Sequence, residues 1–286
     1  MRSLHETQVA VVGLGLMGGS LAGALRNQCG ALVGVARQAE TLETALERGL
    51  IDYGTADLSE GVGAADVVIL ATPVRVILTE LPTIGRLLPP GCLLMDLGST
   101  KARIVEAMAR LPEHVQPLGG HPMCGKEKSG IAAADPGLFD GTTFILTPLP
   151  RTSEQALALG HEIAKAIGAQ PLVLSPERQD FLAGTMSHLP YLMACSLVAT
   201  ADATTSADPA AWKIVAGGFR STTRVAGSDV TMMTDILLTN REEVLKALDA
   251  LQGQIGELAG IVARGDEAEM RATLDVIRQK RLEMYP

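Results

Sequence analysis

The chain has 286 residues, of which 47% are hydrophobic and 20% are charged. This composition is typical of soluble globular proteins and excludes extended disorder, and the length suits one large domain or two of ordinary size. The net charge of −8 at pH 7 argues against a nucleic-acid partner, because a phosphate backbone needs a broad basic surface. The cysteines are widely spaced without a CxxC motif, which predicts free thiols and no metal site: Cys29, Cys92, Cys124 and Cys195.

The first residues are polar and run directly into a strand pattern without a signal-peptide pattern, so we expect a cytoplasmic protein. One uncharged segment, 181–201, is about long enough to cross a bilayer. It contains a histidine, a proline and several hydroxyl side chains, and it lacks flanking basic clusters. A buried helix in a helical core or a dimer interface is therefore the better interpretation, and we expect no membrane partner.

The first half of the chain alternates short β-branched runs with helical patterns. Continuous apolar runs are typical of parallel strands covered on both faces, and strands that alternate with helices predict a doubly wound sheet. In chain order the sequence predicts a strand at 8–13, a helix at 16–28, a strand at 31–36, a helix at 39–49, and strands at 66–73 and 92–98.

The pattern continues with strands at 143–148 and 170–175 and a helix at 152–167 between them. From Pro176 onward the periodicity is helical, and it ends in an amphipathic pair at 241–265 and 266–285.

We therefore predict an α/β protein with two domains. Residues 1–175 form an N-terminal Rossmann domain with a mostly parallel sheet, and residues 176–286 form an all-helical domain for substrate binding and dimerisation.

A GxGxxG motif directly follows the first strand and opens the first helix. In that context the first glycine makes a tight turn, the second lets a pyrophosphate approach the backbone, and the third allows the helix to pack on the strand. The helix amides and dipole then favour phosphate charge. The predicted dinucleotide contacts here are Gly13, Gly15, Leu16, Met17 and Gly18.

The end of the second strand predicts which dinucleotide binds. Sites selective for NAD usually carry an acidic residue there, which hydrogen-bonds the ribose 2′-hydroxyl. This chain has Ala36, Arg37 and Gln38 instead. Because an arginine can hold a 2′-phosphate with two charge-assisted bonds, we predict NADP as the cofactor; the alternative is a surface arginine without a ligand.

Three segments, 71–73, 96–101 and 119–123, are expected in loops at the carboxyl ends of strands, where ligands of open parallel sheets bind. This places Thr72, Pro73 and Ser99 beside the cofactor and His121 near its nicotinamide. Ser99 also precedes a helical pattern, as an N-cap residue does. A neutral histidine suits proton transfer from a substrate hydroxyl during hydride transfer, so the arrangement predicts a dehydrogenase.

Five segments in this order resemble the prephenate/arogenate dehydrogenases of tyrosine biosynthesis: GLGLMGGSLAGAL, DLGSTK, GGHPMCGKEKSG, SHLP and FRSTTRVAGSD. The resemblance runs from about residue 8 to 250. The short form with GVARQ in the second strand is most similar to the cyanobacterial-type arogenate dehydrogenases. It implies a homodimer that oxidises and decarboxylates arogenate to tyrosine with NADP and without a metal.

The resemblance also implies roles for individual residues. His121 accepts the proton of the ring hydroxyl, Ser99 hydrogen-bonds that histidine, and Arg224 binds a substrate carboxylate. Glu127 falls where some members carry a glutamate near the mouth of the site. Lys101, Lys126 and Lys128 either add positive charge beside this anionic pocket or are solvated.

Two positions depart from the family pattern. Many members read SHLPH, and the final histidine is Tyr191 here; many have an aspartate where this chain has Ser221. Both changes concern the substrate pocket. His188 is either a substrate-side histidine or a core histidine, and Pro190 predicts a kink in its helix. Arg220 either supports substrate binding or makes a surface ion pair.

Three alternatives stay open. The substrate could be prephenate, which would give 4-hydroxyphenylpyruvate. A 3-hydroxyacid dehydrogenase has a similar architecture but usually relies on a lysine of its helical half, and Lys213 and Lys246 lie in no matching motif. A redox sensor that binds NADP without turnover would leave the set of Ser99, His121 and Arg224 unexplained.

Overall fold

A computed structural model describes residues 3–126 and 128–284. One sheet of eight strands dominates the N-terminal half, in the spatial order β3-β2-β1-β4-β5-β6-β7-β8. Only β6 and β7 pair antiparallel among these neighbours. The strands are β1 (Gln8–Val12), β2 (Ala31–Val35), β3 (Tyr53–Thr55), β4 (Val67–Leu70), β5 (Leu93–Asp96), β6 (Gln116–Pro122), β7 (Thr143–Pro148) and β8 (Gln170–Val173).

Helices cover both faces of this sheet. They are α1 (Leu16–Leu25), α2 (Ala39–Glu47), α3 (Leu58–Val62), α4 (Val74–Leu87), α5 (Ala102–Met108) and α6 (Glu154–Ala166). This arrangement confirms the predicted α/β Rossmann architecture with a mostly parallel sheet. Two strands, β3 and β6, were not among the predicted elements.

Strand alternation divides the core into two layers. On β1, Val9 and Val11 point into the layer beneath α1 and α6, whereas Ala10 and Val12 point into the layer beneath α4 and α5. All residues of β4 and β5 are buried, as their continuous apolar runs predict. Burial of one such aliphatic side chain stabilises the fold by about 1.5–3 kcal/mol, so the sheet is a rigid base for residues at its edge.

His121 lies in a strand, not in the predicted loop. It is the sixth of seven residues of β6, which pairs with β5 and β7. The sequence of β6, QPLGGHP, contains two glycines and two prolines and therefore resembles a turn. Gly120 is needed because a Cβ there would lie 2.5 Å from the main-chain oxygen of Asp96. The close approach of β5 to β6 thus requires glycine at position 120, and this glycine is one reason why the sequence of the strand resembles a turn.

The C-terminal half is helical, as predicted. It contains α7 (Pro176–Ala183), a π-helical turn (Gly184–His188), α8 (Leu189–Thr205), α9 (Gly217–Thr223), a 3₁₀ turn (Arg224–Gly227), α10 (Val230–Thr239), α11 (Arg241–Arg264) and α12 (Glu267–Met284). The disturbance predicted from Pro190 is the π-helical turn that directly precedes α8, and such turns are one recognised cause of helix bending.

The helix that runs from Pro176 to Thr205 is long and apolar enough to cross a membrane by length and composition. Only 22% of its most apolar window is buried within the chain. A helical core of the same chain therefore does not cover most of this helix, and its role in a dimer interface stays a prediction.

Candidate active site

The glycine turn between β1 and α1 has the geometry that the motif predicts. Gly13 has φ +95°, which favours glycine, and its N–H donates to the Val35 oxygen at 2.9 Å. A Cβ on Gly18 would lie 1.8 Å from the Gly13 oxygen, so only glycine lets α1 pack this closely. The turn is therefore fixed between β1, β2 and the start of α1.

The start of α1 fits the phosphates of a dinucleotide. The N–H groups of Leu16, Met17 and Gly18 donate no hydrogen bond to the part of the chain that the structure describes. A Cβ on Gly15 would meet nothing within 4 Å, so open space lies beside these donors. A row of free amides at the positive end of a ten-residue helix suits an anionic group.

The neighbouring turn after β4 adds a further polar group. The Thr72 side chain lies against Gly13, since a Cβ on that glycine would approach its methyl group to 2.8 Å. The Thr72 hydroxyl is buried and has no hydrogen-bond partner among the residues that the structure describes, and Pro73 beside it is exposed. Buried hydroxyls normally find a partner, so this orphan is a position where a ligand atom fits.

The end of β2 presents no acidic side chain. Ala36 is half-buried and its N–H donates to the Thr55 oxygen at 3.2 Å. Arg37 and Gln38 are exposed, and Arg37 forms no salt bridge with the described residues. The guanidinium group is thus available to an external anion.

His121 lies at the carboxyl edge of the sheet with 7% of its surface exposed. Its Nδ1 is 2.9 Å from Nε2 of Gln179, and the same Gln179 nitrogen is 3.2 Å from the main-chain oxygen of Ser99. The expected hydrogen bond from the Ser99 hydroxyl to His121 is wrong for this structure. Gln179, from α7, connects the two residues instead.

Burial lowers the pKa of His121 to about 3, with smaller contributions from the positive charges of Lys101 and His188. The imidazole is therefore neutral near pH 7. A neutral ring at the edge of the sheet is suited to accept a proton, provided that one nitrogen keeps a free lone pair.

Lys101 is fully buried, so the expectation of a solvated lysine is wrong, and its positive charge acts beside His121. Its ammonium forms a salt bridge with the equally buried Asp96 and donates to the Gly120 oxygen at 2.7 Å. Burial lowers the pKa of Lys101 and raises that of Asp96, and each partner opposes the shift of the other. Asp96 also accepts from the N–H groups of Gly98 and Gly120. The pair ties the turn after β5 to the residue before His121.

The predicted N-cap role of Ser99 is also wrong. Helix α5 begins at Ala102, and its first amides are capped from the helical domain. The Asp180 carboxylate accepts from the N–H of Lys101 at 2.6 Å and from that of Ala102 at 2.9 Å. A carboxylate at a helix N-terminus is favourable, and this one joins α7 to the catalytic edge of the sheet. Ser99 itself is half-buried.

His188 is buried in the π-helical turn. Its Nδ1 lies 3.2 Å from Nδ2 of Asn240, which also donates to the Asp180 oxygen at 2.8 Å. Its Nε2 is buried without a partner in the described part of the chain, and burial lowers the pKa of this histidine to about 4. The proximity to His121 and the unpaired nitrogen favour the substrate-side interpretation over that of a core histidine.

The other described residues that are predicted to contact substrate are more exposed to solvent in the single chain than His121 and His188. Tyr191 is half-buried on α8, where burial and Cys195 raise its pKa. Arg220 on α9 and Arg224 at the following 3₁₀ turn are exposed. Glu127 lies outside the described residues. Their roles stay predictions.

Within residues 3–126 and 128–284, no group of three or more His, Cys, Asp or Glu side chains could hold a metal ion.

Three residues at this edge escaped the sequence analysis: Asp96, Gln179 and Asp180. Asp96 was within a predicted strand, but nothing marked it as the partner of Lys101. Gln179 and Asp180 are adjacent polar residues in a helix, a pattern that is usually solvent-exposed. Their role follows from their burial against the sheet domain, which is a tertiary contact that the sequence pattern does not contain.

The comparisons with known proteins agree with this geometry. A family model described as prephenate dehydrogenase, nucleotide-binding domain, matches residues 21–173, and one described as prephenate dehydrogenase, dimerization domain, matches residues 175–276. A prephenate dehydrogenase of Bacillus subtilis is 37% identical over 93% of this chain and 72% of the relative.

Solved structures give the same result. The complex of Aquifex aeolicus prephenate dehydrogenase with hydroxyphenyl propionate and NAD⁺ has a TM-score of 0.92 at 32% identity, covering 99% of this chain and 100% of that one. Synechocystis arogenate dehydrogenase has a TM-score of 0.84 at 30% identity, covering 97% and 99%. The chain belongs to the prephenate/arogenate dehydrogenase family, whose members are NAD(P)-dependent oxidoreductases.

Proposed function

We propose that this protein is an NADP-dependent arogenate dehydrogenase that works as a homodimer. The observation that carries the proposal is the neutral, nearly buried His121, held at the carboxyl edge of a Rossmann sheet by contacts from both domains. The family membership supplies the reaction class, a dehydrogenation of a cyclohexadienol.

The chemistry requires little of the protein. A bound nicotinamide supplies the hydride acceptor. His121 accepts the proton of the ring hydroxyl while hydride leaves the same carbon, and it returns a proton to that oxygen as CO₂ departs from the opposite ring carbon. The product is an aromatic phenol, so the driving force lies in the substrate. A weakly basic imidazole is adequate here, and substrate carboxylates beside it would raise its pKa in the complex.

The other candidate residues bind and orient the substrate. In this proposal Arg224 binds one carboxylate, and Arg220, Glu127, His188 and Tyr191 border the remainder of the pocket. The buried, unpaired Nε2 of His188 supports a polar contact to the substrate. In the same proposal, Ser99 contacts the cofactor beside His121.

The choice of NADP is supported by the exposed Arg37 and by the lack of an acidic side chain after β2. The Aquifex relative binds NAD⁺, so the cofactor is the point at which this chain would differ. We expect the substitution Arg37→Asp to lower kcat/KM for NADP by about 10–100-fold, because charge-assisted hydrogen bonds to an anion are lost. The same charge change at Arg86, which is exposed at the far end of α4, is the matched control. An Arg37→Asp enzyme with unchanged NADP kinetics would contradict this assignment.

Prephenate is the second candidate substrate, because the Bacillus relative is a prephenate dehydrogenase at 37% identity. Both substrates are offered side by side with NADP and with NAD, and reduction is followed at the nicotinamide absorbance band. A kcat/KM that is higher for arogenate with NADP supports the proposal. A higher value for prephenate would replace arogenate while leaving His121 in its role.

The homodimer is supported by the dimerization description of residues 175–276 and by the exposed apolar residues of the last two helices. Among them are Ile255, Val262, Leu274, Val276 and Ile277. Exposed apolar surface on this scale usually marks an interface. We also expect the protein to be cytoplasmic and without a nucleic-acid or membrane partner.

A further inference from the structure

Gln179 hydrogen-bonds the candidate base. It is fully buried on α7, and its Nε2 lies between the main-chain oxygen of Ser99 and Nδ1 of His121. Nε2 of His121 makes no hydrogen bond to the described residues. Among the described residues, the hydrogen bond to the imidazole therefore comes from this amide alone.

The contact to Ser99 determines how the amide is oriented. A carbonyl oxygen can only accept, so the amide nitrogen must face Ser99, and the same nitrogen then faces Nδ1 of His121. Nδ1 must accept, and the single proton of the neutral ring is on Nε2. The amide oxygen of Gln179 is buried and no described residue hydrogen-bonds it, which is unfavourable. The two contacts of the nitrogen hold the amide in this orientation despite that cost.

We propose that Gln179 is a positioning residue that decides which nitrogen of His121 carries the proton. The inference rests on the proposed role of His121 as proton acceptor. In the free enzyme the proton is on Nε2, so this nitrogen cannot accept another. A half-turn that also moves the amide away from the Ser99 oxygen gives up that hydrogen bond, presents the amide oxygen to Nδ1–H and leaves a lone pair on Nε2. In this exchange the ring takes one proton from water at Nδ1 and returns one to water from Nε2, so it stays neutral.

The charges around His121 do not replace this role. Lys101 faces it from the turn after β5 and His188 from the π-helical turn, and both disfavour the imidazolium form. Asp96 is bound to Lys101, and Asp180 to the amides that begin α5. None of these groups hydrogen-bonds the ring, so none selects between its two nitrogens.

The tautomer is measured directly by NMR. The full chain is labelled with ¹⁵N-histidine, long-range ¹H–¹⁵N spectra are recorded near pH 7.5, and His121→Asn identifies the signals of His121. We expect Nε2–H in the wild type. Gln179→Glu can only accept at Nδ1, so Nδ1 should carry a proton there. In Gln179→Met the side chain fixes neither tautomer of His121, so its two ring nitrogens should show averaged ¹⁵N chemical shifts.

A matched control is available on the same strand as His121. Gln116 begins β6 and its side-chain oxygen accepts from the N–H of Ser153 at 3.2 Å, far from the catalytic edge. Gln116→Met should leave the His121 signals unchanged. Identical His121 shifts in the wild type and Gln179→Met, or a wild type with the proton on Nδ1, would overturn the proposal.

Kinetics supply the second readout. We expect Gln179→Met to lower kcat by about tenfold or more with KM within about threefold. Gln179→Glu should keep more activity, and the acid limb of its kcat/KM profile should move to higher pH, since a carboxylate stabilises the imidazolium. If Gln179 had a purely structural role, both substitutions would lower kcat equally and the acid limb of the kcat/KM profile would not move. That result would count against the proposal.

The two proposals fail in different ways. If the wild type turns over neither dienol, or His121→Asn stays fully active, the proposed function fails while the NMR result still reports the tautomer. If the wild type is active and the spectra do not depend on residue 179, only the role of Gln179 fails.

Discussion

The two halves of the molecule differ in how much of their apolar surface is buried within a single chain. In the sheet half, helices cover both faces, and β4 and β5 are buried along their whole length. In the helical half, α12 has no buried residue among those described, and side chains such as Val276 are 71% exposed. A half that leaves so much apolar surface in water depends on another surface for its stability.

The exception within the helical half is the part that touches the catalytic edge of the sheet. Gln179, Asp180 and His188 are buried there, and they contact Ser99, Lys101 and Asn240. The sheet half presents the candidate base, and the helical half controls its surroundings. The surroundings of the candidate base thus depend on the second half, which also caps α5 of the first.

The largest expected effect tests whether the chemistry lies in the sheet half. His121→Asn should lower kcat by about 10²–10⁴-fold, because proton acceptance is lost. NADP affinity, measured by fluorescence titration with NADPH, should change little, since the glycine turn is untouched. His114→Asn, at an exposed histidine before β6, is the control. A kcat within about threefold of wild type would remove His121 from proton transfer.

The next effect tests the self-sufficiency of the sheet half. Lys101→Met leaves the buried Asp96 carboxylate without its cation, and loss of one partner of a buried ion pair costs about 3–5 kcal/mol of unfolding free energy. The double variant Asp96→Asn with Lys101→Met removes both charges and should recover a large part of that loss. Denaturant titration measures both values. Equal losses in the single and double variants would show that the charges are not coupled.

The pH dependence of stability tests the contact between the halves. The pKa of His121 is lowered to about 3 and that of His188 to about 4, whereas unfolded histidines titrate near 6.5. The unfolded state therefore binds more protons between these values, and stability falls as the pH decreases below about 6.5. At pH 5 each histidine should cost about 2 kcal/mol.

The check is the unfolding free energy from pH 7.5 to 5 in the wild type and in a variant with both histidines changed to asparagine. The double variant should lose most of the slope, and His114→Asn should retain it. A wild-type profile that is flat over this range would contradict the buried, neutral state of both rings.

Local patterns predicted the elements whose residues are determined by nearby neighbours. The apolar runs gave β4 and β5, and the GxGxxG motif gave the turn at Gly13. β6 was missed because its glycines and prolines resemble a turn, and only the pairing with β5 and β7 makes it a strand. Strand assignment there depends on contacts that no sequence window contains.

The candidate site divides in the same way. His121 was found because a histidine among turn residues is locally unusual. Its environment was not found, because Gln179 is 58 residues away in sequence and Asp180 is 79 residues from Lys101. The cap of α5 shows the reason: Ser99 has the residue type of an N-cap but lies two residues before the cap position, and a carboxylate from another domain satisfies the amides.

The smallest expected effect on the sheet half comes from the last helix. Leu274 and Ile277 lie three residues apart on one face of α12 and are about half exposed. Replacing both with glutamate places two charges in the proposed dimer interface, where burial of each side chain would contribute about 1.5–3 kcal/mol. The dimer should dissociate, as measured by sedimentation equilibrium, while unfolding of the sheet half shifts by less than about 0.5 kcal/mol. Gln279→Glu, a charge on the same helix, should stay dimeric. A double variant that remains dimeric would mean that another surface of the helical half forms the interface, because two buried carboxylates without partners would not be tolerated at this one.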